Sequence, residues 1–116
     1  MMFGLPEQTR LKMEGVFARY PEIEQVIIYG SRAKGNFRPG SDIDLTLRGR
    51  GLTDNVLSKV STELDELDTP YLMDVSIYDH LQSDSLRDNI KSGGRVFYQC
   101  DELKQPYKPS SEESVF

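Results

Sequence analysis

The chain has 116 residues, 37% apolar and 28% charged, with 14 basic against 19 acidic side chains and a net charge of −5. That length gives one domain with one modest core. No apolar run approaches a membrane span, the longest being Val26-Ile27-Ile28-Tyr29, and no basic-then-apolar leader opens the chain. A single cysteine, Cys100, makes neither an internal disulfide nor a Cys-based zinc site, which suits a reducing cytoplasm. The acidic balance argues against a general nucleic-acid coat, whose affinity comes from neutralising phosphates.

Residues 6–20 predict an amphipathic helix with Met13, Val16, Phe17 and Tyr20 on one stripe, opened by Pro6 and closed by Pro21. Residues 25–29 form a β-branched run, a strand covered on both faces. From Gly30 to Ser41 glycine and proline punctuate a turn that carries Arg32, Lys34 and Arg38. Residues 42–47 then alternate, with Asp42, Asp44 and Thr46 on one face and Ile43, Leu45 and Leu47 on the other. Residues 48–51 are a turn. A second helix over 53–67 buries Val56, Val60, Leu64 and Leu67, with Thr53 or Asp54 as its cap. Residues 71–78 alternate again, 83–92 predict a short helix ended by Gly93-Gly94, and 95–98 a last strand. Residues 99–116, with Pro106, Pro109 and a scatter of serines and acids, predict a flexible tail behind a domain over 1–98. The order α-β-turn-β-α-β-α-β gives an α/β (α+β) fold, a small mixed sheet with helices packed on it.

Three acids interrupt strands. Asp42 and Asp44, two apart, emerge on one face, and Asp74 sits among Leu72, Met73, Val75 and Ile77. An aspartate in an apolar strand must be solvated, paired or bound to metal. If the strands are neighbours, three carboxylates converge, and at 4 Å each like pair costs about 4 kcal/mol at an effective dielectric of 20. Such a cluster recruits a divalent cation or takes up protons, and oxygen-only ligands suit Mg²⁺ or Mn²⁺. The Gly30-Ser31 turn offers backbone N–H groups and a hydroxyl to an anion, with Arg32 and Lys34 as nearby cations for nucleotide phosphates. An anion-binding turn beside a carboxylate pair is what metal-assisted phosphoryl or nucleotidyl transfer needs.

Plainer readings stand beside these. Alternating acids are usually solvated strand faces, Asp74 suits an arginine ion pair, and charged turns are common. His80 reads as a surface or capping residue and Cys100 as inert. A P-loop fails because Asn36-Phe37 replace its Lys and Ser/Thr. An EF-hand fails at Leu47, and Arg32 breaks a dinucleotide fingerprint.

Gly30-Ser31, ten intervening residues, then Asp42-Ile43-Asp44, with Asp74 on a later strand, resembles the signature of the DNA polymerase beta-like nucleotidyltransferase superfamily. More narrowly, the segments around Tyr29-Gly-Ser-Arg-Ala-Lys-Gly and Ser41-Asp-Ile-Asp-Leu resemble its minimal nucleotidyltransferases, the MNT type, from about Tyr20 to Tyr98. The resemblance implies that Asp42 and Asp44 hold two Mg²⁺ ions and that Asp74 completes the site or serves as base. It implies that Gly30 and Ser31 hold the β- and γ-phosphates of ATP or another NTP. It further implies a HEPN-type protein partner, modified with AMP on a tyrosine by this chain acting as antitoxin. The alternative within the same pair is a non-catalytic subunit that neutralises the toxin by binding.

Overall fold

The computed structural model describes residues 3–38 and 40–100 of the chain. Helix α1 spans Glu7–Ala18, strand β1 Gln25–Tyr29, the short helix α2 Ser31–Lys34, strand β2 Ile43–Arg48 and helix α3 Asp54–Asp65. Strand β3 spans Met73–Ile77 and runs into a 3-10 turn at Tyr78–His80; helix α4 spans Asp84–Gly93 and strand β4 Arg95–Gln99.

The helix ends follow local chemistry. Pro6, with φ −61° and ψ 151°, sits just outside α1 rather than in its first turn. The chain tightens after Ala18, where Arg19 and Tyr20 donate backbone N–H bonds to Val16 and Phe17, each 3.1 Å. Thr53 caps α3, its hydroxyl accepting from the Val56 N–H at 3.2 Å, and Ser83 caps α4 by accepting from Leu86 at 3.1 Å.

The strands form one mixed sheet in the order β3-β2-β1-β4. β1 pairs antiparallel with β2 and β4, and β3 joins β2 in parallel through the α3 crossover. Val26 and Ile28 of β1 share one core with Ile43, Leu45 and Leu47 of β2, Met13, Val16 and Phe17 of α1, and Val56, Val60 and Leu64 of α3. Ile27 points the other way and packs with Tyr78 and Ile90. The expectation that β1 is covered on both faces therefore holds, since Val26, Ile27 and Ile28 are all fully buried. Each fully buried side chain of this size contributes about 1.5–3 kcal/mol relative to exposure. The ends of α1 and α3 are tied by Glu63, which accepts from both Arg19 and the Tyr20 hydroxyl. That bond is the main reason the Tyr20 hydroxyl titrates above its ordinary range.

The helix expected over 53–67 stops at Asp65 and the strand expected over 71–78 spans only Met73–Ile77; two further differences bear on the domain limit and the acids. β4 runs on through Gln99, so the strand crosses the domain limit expected at 98; residues 101–116 of the expected tail lie outside the described residues. β2 opens at Ile43, leaving Asp42 just ahead of it. The reason is the ladder: the last rung between β1 and β2 joins Tyr29 to Asp44, and β1 then turns away at Gly30, so nothing on β1 stands opposite Asp42. Among the described residues, no helix is long and apolar enough to cross a membrane.

Candidate active site

Where β1 ends, Gly30 takes φ 79° and ψ −153°, a region essentially reserved for glycine, and starts α2 with Ser31 as its first residue. The segment read as an uninterrupted turn thus contains one helical turn. It closes when the Ser31 carbonyl accepts from the N–H groups of Gly35 (2.9 Å) and Asn36 (3.2 Å), with Gly35 left-handed at φ 87°. The return toward β2 is pinned by Ser41, whose hydroxyl accepts from the Arg38 N–H at 2.9 Å.

The sheet register brings the acids together. Asp44 pairs with Tyr29 on one side and with Asp74 on the other, so the three form one row across β1, β2 and β3. Neighbouring strands are about 4.8 Å apart, which places the Asp44 and Asp74 carboxylates side by side on one face. Gly30 presses on this row: a Cβ built there stands 2.5 Å from Asp44 Oδ2. Asp44 is half-buried while Asp42 and Asp74 are exposed. Burial first, then the negative charges of Asp74 and Asp42, push the Asp44 carboxyl above the ordinary carboxylate range. Among the described residues no lysine, arginine or histidine forms an ion pair with any of the three. They also do not close into a cage: among the described residues no group of three acidic, histidine or cysteine side chains stands ready to surround an ion. The convergence of three carboxylates on one point resolves into an adjacent pair, Asp44 and Asp74, with Asp42 within electrostatic reach.

One step deeper on the same face the chemistry becomes neutral. Thr46, expected on the acidic face, is fully buried there, and the Ser76 hydroxyl donates to Thr46 Oγ1 at 3.1 Å. The covering comes from Tyr78 and α4, which pack on Ile27, the rung partner of Thr46. Tyr29 lies at the boundary between these zones. Burial pushes its hydroxyl above the ordinary tyrosine range, a Ser76 hydrogen bond opposes that, and Asp44 and Asp74 add to it. Sequence reasoning missed Tyr29 as a member of the site; its place directly before Gly30 was visible, but its rung with Asp44 needed the register.

The cations of the turn fall differently from the expectation. Arg32 is 2% exposed, and its guanidinium donates to the backbone carbonyls of Ser41 (2.9 and 3.1 Å), Phe3 (3.0 Å) and Gly4 (3.4 Å). Its reading as a phosphate ligand is therefore corrected, because its donors are engaged within the protein and its side chain does not reach solvent. Lys34 is exposed at the end of α2, with Cε 3.7 Å from where a Cβ on Gly93 would stand. Arg38 is exposed. His80 lies at the surface, 3.4 Å from Asp54 Oδ1, beside the first turn of α3.

A mixed sheet carrying a glycine–serine turn against two neighbouring strand aspartates defines the class of polymerase beta-like nucleotidyltransferase folds. The family model for polymerase beta nucleotidyltransferases matches residues 12–103, and the chain belongs to that family. Solved structures with the same fold include a toxin–antitoxin complex with AMP-PNP, with a TM-score of 0.62 at 19% identity over 84% of this chain and 77% of that one. Another is the tri-AMPylated HEPN toxin of Shewanella oneidensis in complex with its MNT antitoxin, with a TM-score of 0.60 at 15% identity over 84% of this chain and 76% of that one. A third is the MntA–HepT toxin–antitoxin, with a TM-score of 0.55 at 16% identity over 84% and 75%. Among curated proteins none matches the sequence.

Proposed function

We propose that this chain transfers a nucleoside monophosphate, AMP by preference, from a nucleoside triphosphate to a hydroxyl on a HEPN-type partner protein, as the antitoxin of that partner. The observation that carries the reading is the juxtaposition of Gly30 with Asp44, itself in register with Asp74. It brings the Gly30-Ser31 turn directly against carboxylates that no cation pairs among the described residues. The solved complexes sharing this fold, one with AMP-PNP and one with an AMPylated HEPN toxin, support the choice of donor and partner.

Asp42, Asp44 and Asp74 are the residues that would hold Mg²⁺. The donor set fits: it is all oxygen, it carries repulsion that a cation relieves, and Mg²⁺ needs only one or two carboxylates beside water and phosphate oxygens. When bound, the ion supplies Lewis-acid stabilisation of the charge that develops on the phosphate oxygens. The chain's own residues do the rest. Gly30, lacking a side chain, lets Asp44 sit directly against the turn, and Ser31 offers its hydroxyl and N–H to the β- and γ-phosphates. Asp74, exposed and in register with Asp44, takes the proton of the attacking hydroxyl. The acceptor oxygen bonds to the α-phosphorus, the bond to the bridging oxygen breaks, and pyrophosphate leaves.

The test is the intact mass of the HEPN-type partner after incubation with this chain, ATP and Mg²⁺. The expected result is a gain of one or more AMP units, lost on Asp44→Asn. An unmodified partner with the unaltered chain would leave only the non-catalytic, neutralising role.

A further inference from the structure

Arg32 is buried without a carboxylate. Among the described residues it forms no ion pair, and its guanidinium is instead surrounded by the backbone carbonyls of Ser41, Phe3 and Gly4 and by the rings of Phe37 and Tyr71, at 5.1 and 5.0 Å. Removing a cation from water is expensive, and a packing role alone is met at lower cost by an apolar side chain. What the planar guanidinium adds is direction: Nε and Nη2 both fork onto one oxygen, the Ser41 carbonyl, at 3.1 and 2.9 Å.

That oxygen belongs to the rigid peptide plane joining Ser41 to Asp42. The guanidinium itself is carried by α2, one residue past Ser31. Phe37 comes from the loop between α2 and β2, and Tyr71 from the approach to β3, the strand of Asp74. One side chain therefore spans the glycine–serine turn, the peptide that carries Asp42, and the segment that leads to Asp74. Its remaining nitrogen draws in Phe3 and Gly4, closing the N-terminal segment over the same point. Asp42 needs such a support, because it lies ahead of β2 and has no rung partner on β1 to hold it.

We propose that Arg32 is a positioning residue that fixes Asp42 relative to Gly30-Ser31, acting through the Ser41 carbonyl. What Asp42 then does, holding a divalent cation, rests on the function proposed above; the mechanical link does not.

The experiment compares the full chain with Arg32→Lys, Arg32→Gln and, as a destabilised control, Val60→Ala in the α3 core. Mn²⁺ affinity is measured without nucleotide, by water-proton relaxation, at a temperature where each protein is folded. The expected result is a tenfold or greater weakening in Arg32→Gln, a smaller one in Arg32→Lys, and a change within twofold in Val60→Ala. Amide exchange over residues 40–44 is the second measurement and needs no metal: it accelerates in Arg32→Lys while exchange in α3 stays as in the unaltered chain. If Arg32→Gln does not fold, Arg32→Lys carries both measurements. Unchanged exchange over 40–44 in Arg32→Lys overturns the link itself. Mn²⁺ binding by both Arg32 variants equal to that of the unaltered chain overturns its role toward Asp42. An unaltered chain that binds no Mn²⁺, with exchange accelerated as expected, removes the metal reading of Asp42 and leaves the link standing.

Discussion

A methyl group on Gly30 would stand 2.5 Å from Asp44 Oδ2, well inside van der Waals contact, on a backbone with φ +79°. Gly30→Ala therefore meets both backbone strain and a collision with the central acid. The expected loss of stability is about 1–3 kcal/mol by urea unfolding, with transfer reduced at least tenfold. Gly35→Ala is the contrast, since φ is +87° there but nothing lies within 4 Å. It should lose about 1 kcal/mol and keep its activity.

Asp44→Asn should separate stability from activity. Burial and the charges of Asp74 and Asp42 raise the carboxyl's proton affinity in the folded chain. Protonation at this residue thus favours folding, and that contribution is lost as pH rises from the ordinary carboxylate range through the raised folded value. The asparagine variant lacks the penalty. Its stability relative to the unaltered chain should grow over that pH interval, reaching about 0.5–1 kcal/mol, the scale of partly exposed charge interactions. Urea unfolding from pH 4 to 7 reads the difference; a variant less stable at pH 7 contradicts it. Transfer should be abolished.

Divalent cations should stabilise the folded chain through the same carboxylates. At a hundred times the dissociation constant the gain is about 2.7 kcal/mol, several degrees in Tm. Mg²⁺ or Mn²⁺ should raise the unfolding temperature of the unaltered chain, EDTA should reverse it, and Asp44→Asn should not respond. An equal rise in that variant would place the cation elsewhere.

Thr53→Ala removes the α3 cap, a 3.2 Å bond to the Val56 N–H. The expected loss is about 1 kcal/mol, because one helix donor loses its partner. The row of Tyr29, Asp44 and Asp74 does not involve this bond, so transfer measured at a temperature where the variant is folded should be unchanged.

Much of this architecture was legible in the residues because each element carries its own period. Val26, Ile27 and Ile28 sit in β1 as read, and Val56, Val60 and Leu64 face the core at helical spacing. What the sequence withheld depended on register and on packing from a distance. The alternation through Asp42, Asp44 and Thr46 named a common face without saying that Tyr78 and α4 bury its inner half. The charge of Arg32 suggested an anion ligand, yet its partners Phe3 and Ser41 are visible only once the chain has closed on itself. Tyr29 joined the acids through a rung that no local pattern specifies.

Among the described residues β3 is an outer strand of the sheet, and Asp74 is its second residue. An unpaired strand margin invites docking by another chain's backbone, and a charged side chain there discourages it. The carboxylate proposed to take the acceptor's proton is also the kind of side chain that discourages such docking. Replacing it with an apolar residue would harm solubility as well as chemistry, so loss of turnover in such a variant has to be judged on material shown to be monodisperse.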